Sequence, residues 1–481
     1  MEAAKSKKRE WRLLGLIFLV AMGVRLIGIQ FGYPLLVHPD EPNAIMPVLA
    51  MTQNHTLDPN SFAHPKQFLY MVYLVYLNLT SFLLWGVDMA AAFATHREVF
   101  HYIARCLIVV YGALIPLVAY GIGKRFKPNF ALPAAILFAF YPLLVEHSHY
   151  ATPDVPITFY TLLIIYFCLQ FLDGKGEKFL LFAVLTAAIN TADKYPGLLS
   201  LGIVFVAIVI DALQNRQSLP KLAARQVGLR LLSVTVLFAL FLFLVAPFLF
   251  IDIEKVIPAI RNEGRSTALG SDGLGWLGNL RFYVRQFFQE ANWLVVIFAA
   301  LGLYGLVKTK AWHGILLLYG VVYWLLLSYL PLHVGRWSLP MDTAPLLLAA
   351  FGMSWLWSQV HPARPAAEGG TRLRHPPAFL PAIVPVLTGG LIGAALLLVV
   401  SAGLTRSLTM SLTDTRAAAL FYLKDAGITR EETAYEGFSA FNPRGFATVF
   451  TVTPENPGPY RYLLLSSLMY GRYEAEPLRY P

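Results

Sequence analysis

Long apolar runs, separated by short segments that carry most of the Lys and Arg residues, set the pattern of this chain. Runs near 20 residues recur, the length at which an α-helix crosses the hydrocarbon core of a bilayer. Their order predicts helices at roughly 13–32, 101–122, 131–149, 156–172, 178–193, 195–210, 231–250, 293–307, 314–330, 340–358 and 379–403. The basic segments between them fall at 5–9, 123–127, 173–178, 216–230, 308–310 and 364–374. Cytoplasmic loops carry the excess of Lys and Arg. Placing all six segments inside therefore puts the N-terminus in the cytoplasm, gives about 11 crossings and leaves the C-terminus outside. The first run is long and lacks a small-residue cleavage site, so it reads as a retained helix rather than a signal peptide.

The run at 68–87 breaks the scheme. It is apolar enough to span, but a crossing here would put 123–127 outside and invert every later loop. An interfacial or re-entrant pair of helices on the outer face is expected instead, and Tyr70, Tyr73, Tyr76, Asn78 and Trp85 suit headgroup level. The outer surface then comprises about 33–100, 150–155, the break at Tyr195-Pro196-Gly197, the turn at His333 to Trp337, and the tail from about 405. It also includes 251–292, a polar Gly-rich stretch that reads as a long loop of the kind that forms lids. The Pro-, Ala- and Arg-rich stretch 360–378 reads as a cytoplasmic linker. In the tail, 414–426 has helical spacing, while 448–452 and 460–466 read as strands. The chain thus divides into a transmembrane domain, 1–404, and a small extracytoplasmic α+β domain, 405–481.

Composition agrees with the pattern: of 481 residues 57% are hydrophobic and 14% charged, and the mean hydropathy is +0.57, outside the range of soluble domains. A net charge of +10 would suit nucleic acid, but the cations lie in the loops as topology signals and no nucleic-acid motif accompanies them. Cys106 and Cys168 sit inside apolar runs and read as packed thiols. No internal repeat supports an inverted-repeat transporter.

Two acidic motifs stand just past the ends of apolar helices, His38-Pro39-Asp40-Glu41 and His149-Tyr150-Ala151-Thr152-Pro153-Asp154. Carboxylates are expensive at a membrane boundary and mark sites when they occur there. Cations of the same surface are Lys66, Arg105, Lys194, Arg265 and Arg336. Each has a plainer reading. Asp40 and Asp154 could cap helices, Glu41 could favour a helix dipole, Lys194 could pair with Asp193, and Arg105 and Arg336 could snorkel. His38, Asp40, His147, His149 and Asp154 offer metal ligands but match no zinc spacing. Ionisable residues at one boundary, rather than at helix midpoints, favour an enzyme over a lipid or ion transporter.

Asp40-Glu41, His64-Pro65-Lys66, Arg105, Asp154, Lys194 before Tyr195-Pro196-Gly197, and Arg336 four residues before Pro340 occur in one order. This set resembles the GT-C membrane glycosyltransferases of the protein-mannosyltransferase and aminoarabinose-transferase type over about residues 10–350. Several relatives have Lys where His64 stands, so Lys66 is matched to it, and Trp337 replaces an expected Tyr. The resemblance implies an all-α polytopic GT-C fold in the cell membrane and a sugar taken from a polyprenyl-phosphate donor. Its acceptor on the extracytoplasmic face would be a protein, lipid or polysaccharide. Such chemistry needs a base for the acceptor hydroxyl and cations for the departing phosphate, and it predicts inversion. Asp40 is assigned as the base, with Glu41 and Asp154 as further catalytic carboxylates and Lys66, Arg105, Lys194, Arg265 and Arg336 on the phosphate. No cofactor is required on this reading. A divalent metal is the alternative, and a lipid-pyrophosphate oligosaccharide ligase of the same fold would need one.

Overall fold

The computed structural model describes residues 2–33, 38–214, 220–263, 275–309, 312–330, 333–361, 380–429, 431–435, 447–448 and 460–465. Eighteen α-helices carry the described chain. They are α1 (Glu2–Leu26), α2 (Pro42–Gln53), α3 (Gln67–Trp85), α4 (Met89–Phe126), α5 (Pro128–Phe140), α6 (Pro142–His147), α7 (Asp154–Leu172), α8 (Glu177–Asp193) and α9 (Ser200–Gln214). The second half holds α10 (Pro220–Val245), α11 (Phe248–Ile251), α12 (Ile253–Glu263), α13 (Gly275–Ala291), α14 (Trp293–Lys308), α15 (Leu318–Leu327), α16 (Leu339–Val360), α17 (Leu380–Met410) and α18 (Thr415–Asp425). Prolines open α2, α5 and α6, where a missing N–H costs nothing. Gly302 of α14 and Gly352 of α16 lie against the opposing backbone so closely that any side chain would strike a carbonyl, the small-residue packing by which membrane helices approach.

Contacts along α1 and α4 give the depth of the bundle. Glu10 pairs with Lys124 at one end, and Arg105 donates to the carbonyls of Ile29 (2.8 Å) and Phe31 (2.9 Å) at the other. The 19 residues from Arg105 to Lys124 make about 28 Å of helix, the thickness of a hydrocarbon core. The first part of α4, with its break at His96, extends past that layer on the side of Arg105. On this same side Arg25, fully buried, donates to Ser148 and to the carbonyls of Phe138 and Ala139, fixing the end of α6 to α1.

Helix α3 is long and apolar enough to cross. Its contacts nonetheless stay at one level. The Lys66 amide donates to Asp193 O (3.1 Å), Tyr73 donates to Ala104 O (3.2 Å), and Trp85 stacks on His96 (4.3 Å). Nineteen helical residues span about 28 Å, yet the start, middle and end all touch groups at or beyond the level of Arg105. The segment is one helix running along the face that holds Arg105, not a pair. A Cys at exposed Ala94, in a protein with Cys106 and Cys168 replaced, is expected to react with an impermeant maleimide in intact spheroplasts. Reaction only after lysis would mean that α3 crosses.

Several expectations change. Among the described residues six helices are long and apolar enough to cross, or seven if α13 and α14, bent by 110°, count as one. That number rests on length and apolarity alone and leaves the expected 11 crossings open, since shorter apolar helices such as α5, which is cut at Pro142, stand outside it. The stretch 251–292 is not a long loop: it follows α11 and forms α12 and α13 on either side of residues outside the description. Ile253, Val256, Ile257 and Ile260 recur at helical spacing on α12, and Val256 buries against Phe62, Ala192 and Leu249. Helix α17 runs through the expected boundary at 404. Beyond it, Asp414 caps α18 by accepting from the Arg416 amide (2.8 Å). Strands β1 (Thr433–Tyr435), β2 (Ala447–Thr448) and β3 (Tyr462–Leu464) pair in parallel in the order β2-β1-β3.

Candidate active site

The loop before α2, the start of α3, the start of α7, the end of α8 and the 3-10 turn Gly335–Ser338 converge on one pocket. It is lined by Asp40, His64, Lys66, Thr152, Pro153, Asp154, Lys194, Arg336 and Trp337. Five of the eight site residues read from the sequence meet there. Arg336 Nη2 donates to Asp40 Oδ2 (2.5 Å), and Arg336 Nε lies 3.4 Å from Asp154 Oδ2. Lys194 Nζ donates to the other oxygen of Asp154 (2.7 Å) and stands 5.4 Å over the Trp337 ring. The result is a row of alternating charge, Asp40, Arg336, Asp154 and Lys194. Behind it, buried Asp342 accepts from Ser338 (2.7 Å) and Tyr141 (2.9 Å), which braces the turn that carries Arg336.

The plainer readings of three residues fall away. Neither Asp40 nor Asp154 caps a helix: Glu41 and Pro153 hold the cap positions of α2 and α7, and neither makes a side-chain cap bond. Lys194 pairs with Asp154 rather than with Asp193, whose Oδ1 accepts from the Leu69 amide (2.8 Å) and anchors α3.

Lys66 has the least conventional setting. Its φ of 45° is left-handed, a conformation that costs a non-glycine residue about 1–3 kcal/mol and collects at functional sites. The side chain is 3% exposed, its Nζ reaches the Asn43 carbonyl at 3.4 Å, and among the described residues it makes no ion pair. Burial pushes its pKa down to about 8, although Asp40 and Asp154 act the other way. Burial also lowers Lys194, against the pull of Asp154, and lowers His64 to about 4 with Lys66 and Lys194 adding to the effect.

Two assigned residues lie outside the pocket. Glu41 and Arg105, 0% and 1% exposed, form a bidentate pair at 2.7 and 2.8 Å. Glu41 also accepts from the Ala151 amide (3.0 Å). This pair joins α1, α4 and the loop that leads to Asp154, and it holds Asp40 by its neighbour. Burial would raise the Glu41 pKa, but the Arg105 charge overrides it and holds the carboxyl well below the usual range. The catalytic assignment of Glu41 and the phosphate assignment of Arg105 thus fall on a buried pair outside the pocket lining. Glu41→Gln is expected to cost about 3–5 kcal/mol by leaving a buried guanidinium unpaired, measured as loss of thermal stability; an unchanged melting temperature would contradict it. Arg265 lies outside the described residues.

His149 engages three backbone carbonyls, of Val145 (2.8 Å), Glu146 (3.2 Å) and Ile27 (2.7 Å), and His38 stacks on Tyr150 at 4.2 Å. Among the described residues no group of three or more His, Cys, Asp or Glu side chains is placed to hold a metal ion. His64, Thr152 and Trp337 complete the pocket. His64 and Trp337 stood out in the sequence only as departures from the family pattern, and Thr152 carried no signal of its own.

An apolar cavity of about 300 Å³ adjoins the polar pocket and shares His64, Lys194 and Trp337 with it. Pro65, Tyr195, Ile260, Leu327 and Leu330 form its apolar walls.

The polytopic helical fold, with this charged site at one end of the bundle, has counterparts among known proteins. Residues 83–250, about a third of the chain, match the family described as dolichyl-phosphate-mannose-protein mannosyltransferase. That segment includes Arg105, Asp154 and Lys194. The chain is similar in fold to ArnT from Cupriavidus metallidurans bound to undecaprenyl phosphate, with a TM-score of 0.52 and 14% identity over 98% of this chain and 89% of that one. The apo state of the same ArnT gives a TM-score of 0.45 at 14% identity and the same coverage. No curated protein sequence matches the chain.

Proposed function

We propose that this protein is an inverting glycosyltransferase of the cell membrane that moves one sugar from a polyprenyl-phosphate donor to an acceptor hydroxyl on the extracytoplasmic face. The observation that carries the reading is Lys66, a buried cation without a carboxylate partner among the described residues, set in a polar pocket that opens onto an apolar cavity. Burying a charge without its partner is costly, so the site suits a ligand with an anionic head and an apolar tail. The ArnT structure, with undecaprenyl phosphate bound, supports that class of donor.

In this reading the donor phosphate sits among Lys66, Lys194 and Arg336, and the first prenyl units occupy the apolar cavity. The phosphate competes for Arg336, which otherwise engages Asp40, and its arrival frees that carboxylate. Asp40 then takes the acceptor proton as the acceptor oxygen bonds to the anomeric carbon. The bond from that carbon to the phosphate oxygen breaks, and the leaving charge stays on the three cations. Asp154 holds Lys194 and Arg336 in register. No general acid is needed, because a phosphate leaves without protonation, and a single displacement inverts the anomeric centre. The N-terminus lies in the cytoplasm and the tail outside.

The test supplies purified protein with synthetic prenyl-monophosphate sugars of known anomeric configuration and reads the configuration of the product by NMR. Inverted product is expected. Retained configuration, or transport of the lipid across sealed vesicles without any sugar transfer, would overturn the reading.

A further inference from the structure

A second cavity, of about 610 Å³, lies at the other end of the bundle. Its size falls within the range of about 300–1,000 Å³ usual for small-molecule sites. It forms between α1 and α7 against α4, and its floor is apolar, from Leu14, Leu117, Val118, Leu163 and Tyr166. Gly121 keeps it open, since a side chain there would press on the Tyr166 ring. The rim carries charge: Lys124 and Arg125 at the end of α4, Lys175 after α7, and the carboxylates Glu10 and Asp173.

The rim charges are unequally matched. Arg125 is held by Asp173, with Nε and Nη2 contacts of 3.2 and 2.6 Å, and also meets His313. Lys124 pairs with Glu10 but is 50% exposed, and Lys175 bonds Gln170, with no carboxylate partner among the described residues. Three cations against two carboxylates leave the rim positive. The rim stands about 28 Å of helix from Arg105, which is the headgroup level of the leaflet opposite the active site.

An apolar floor within the hydrocarbon layer and a positive rim at headgroup level fit a molecule with acyl chains and an anionic phosphate. We propose that this groove binds one anionic phospholipid of the leaflet opposite the active site, with its phosphate at Lys124 and Lys175 and a chain along the floor. A soluble phosphate would satisfy the rim alone and leave the floor without a partner. This site is separate from the donor pocket and does not depend on the reaction assigned to it.

The test is native mass spectrometry of the delipidated full chain with dioleoyl phosphatidylglycerol, dioleoyl phosphatidylcholine or inorganic phosphate, alongside thermal stability. Wild type is expected to retain one phosphatidylglycerol and to gain stability from it, with neither effect from the other two probes. Lys124→Gln with Lys175→Gln is expected to weaken retention roughly tenfold or more, at about the strength of two surface cations on an anionic lipid. Leu14→Trp, which fills the floor and keeps every charge, is expected to lose the lipid as well. Lys178→Gln with Lys308→Gln removes the same charge elsewhere and should bind like wild type. Equal loss in both double variants, equal retention of phosphatidylcholine, or the full stabilisation from phosphate alone would overturn the proposal.

Discussion

Asp40→Asn is expected to fold, bind the donor lipid and lose sugar transfer by roughly 10²–10⁴-fold, the usual effect of removing a general base. Asparagine keeps the shape of the side chain and its hydrogen bond to Arg336, but it cannot take a proton at that oxygen. Because the loss falls on the chemical step, single-turnover transfer should drop while donor affinity stays near normal or rises, since Arg336 is released toward the phosphate. Transfer near the wild-type rate would remove Asp40 from the mechanism. A matching fall in melting temperature would show that its bond to Arg336 is chiefly structural.

Lys66→Met separates binding from folding more sharply. Replacing a buried, unpaired cation by an apolar side chain of similar length removes a desolvation cost, so the variant should melt at or above the wild-type temperature. Donor affinity should fall by about 2–5 kcal/mol, the cost of truncating one side of a buried charge pair, which is roughly 30-fold or more in Kd. Its pH dependence follows from the pKa of about 8. The protonated amine binds phosphate, so affinity is full below that pH. Above it binding must take up a proton, and Kd rises toward tenfold per pH unit. Lys66→Arg stays charged and should give a flat profile through the same range, at lower affinity because its geometry differs. A flat wild-type profile, or unchanged affinity in Lys66→Met, would take Lys66 off the phosphate.

What could be read from the sequence depended on how far apart the interacting residues lie. The boundary placement of Asp40, Asp154, Lys194 and Arg336 was legible because each stands at the end of an apolar run, and the site assembles from those ends. The pairing within the site was not. Lys194 faces Asp154, 40 residues away, rather than its neighbour Asp193, because the backbone turns at the end of α8 and sends consecutive side chains in different directions. Glu41 looked like a second site carboxylate since it adjoins Asp40, yet it turns inward to Arg105, 64 residues on. The helix in 253–263 has apolar spacing of its own, but the Gly and polar residues that follow make the whole stretch read as a loop. The number of crossings is less legible for a related reason: composition tells how apolar a run is, and not where proline or packing bends it.

The row of charge in the pocket also imposes an order of events during synthesis. Asp154 and Lys194 emerge close together, and their bond can form as soon as α7 and α8 are inserted. Asp40 waits for Arg336, which is 296 residues later. At about 5–20 residues per second that interval is roughly 15–60 s, during which the first loop carries an unmatched carboxylate and the pocket has no floor at Trp337. A chain stopped before the turn at 335–338 would hold most of its helices without Arg336 or Trp337, so the ribosome must pass the turn that follows α15 before the pocket can form at all.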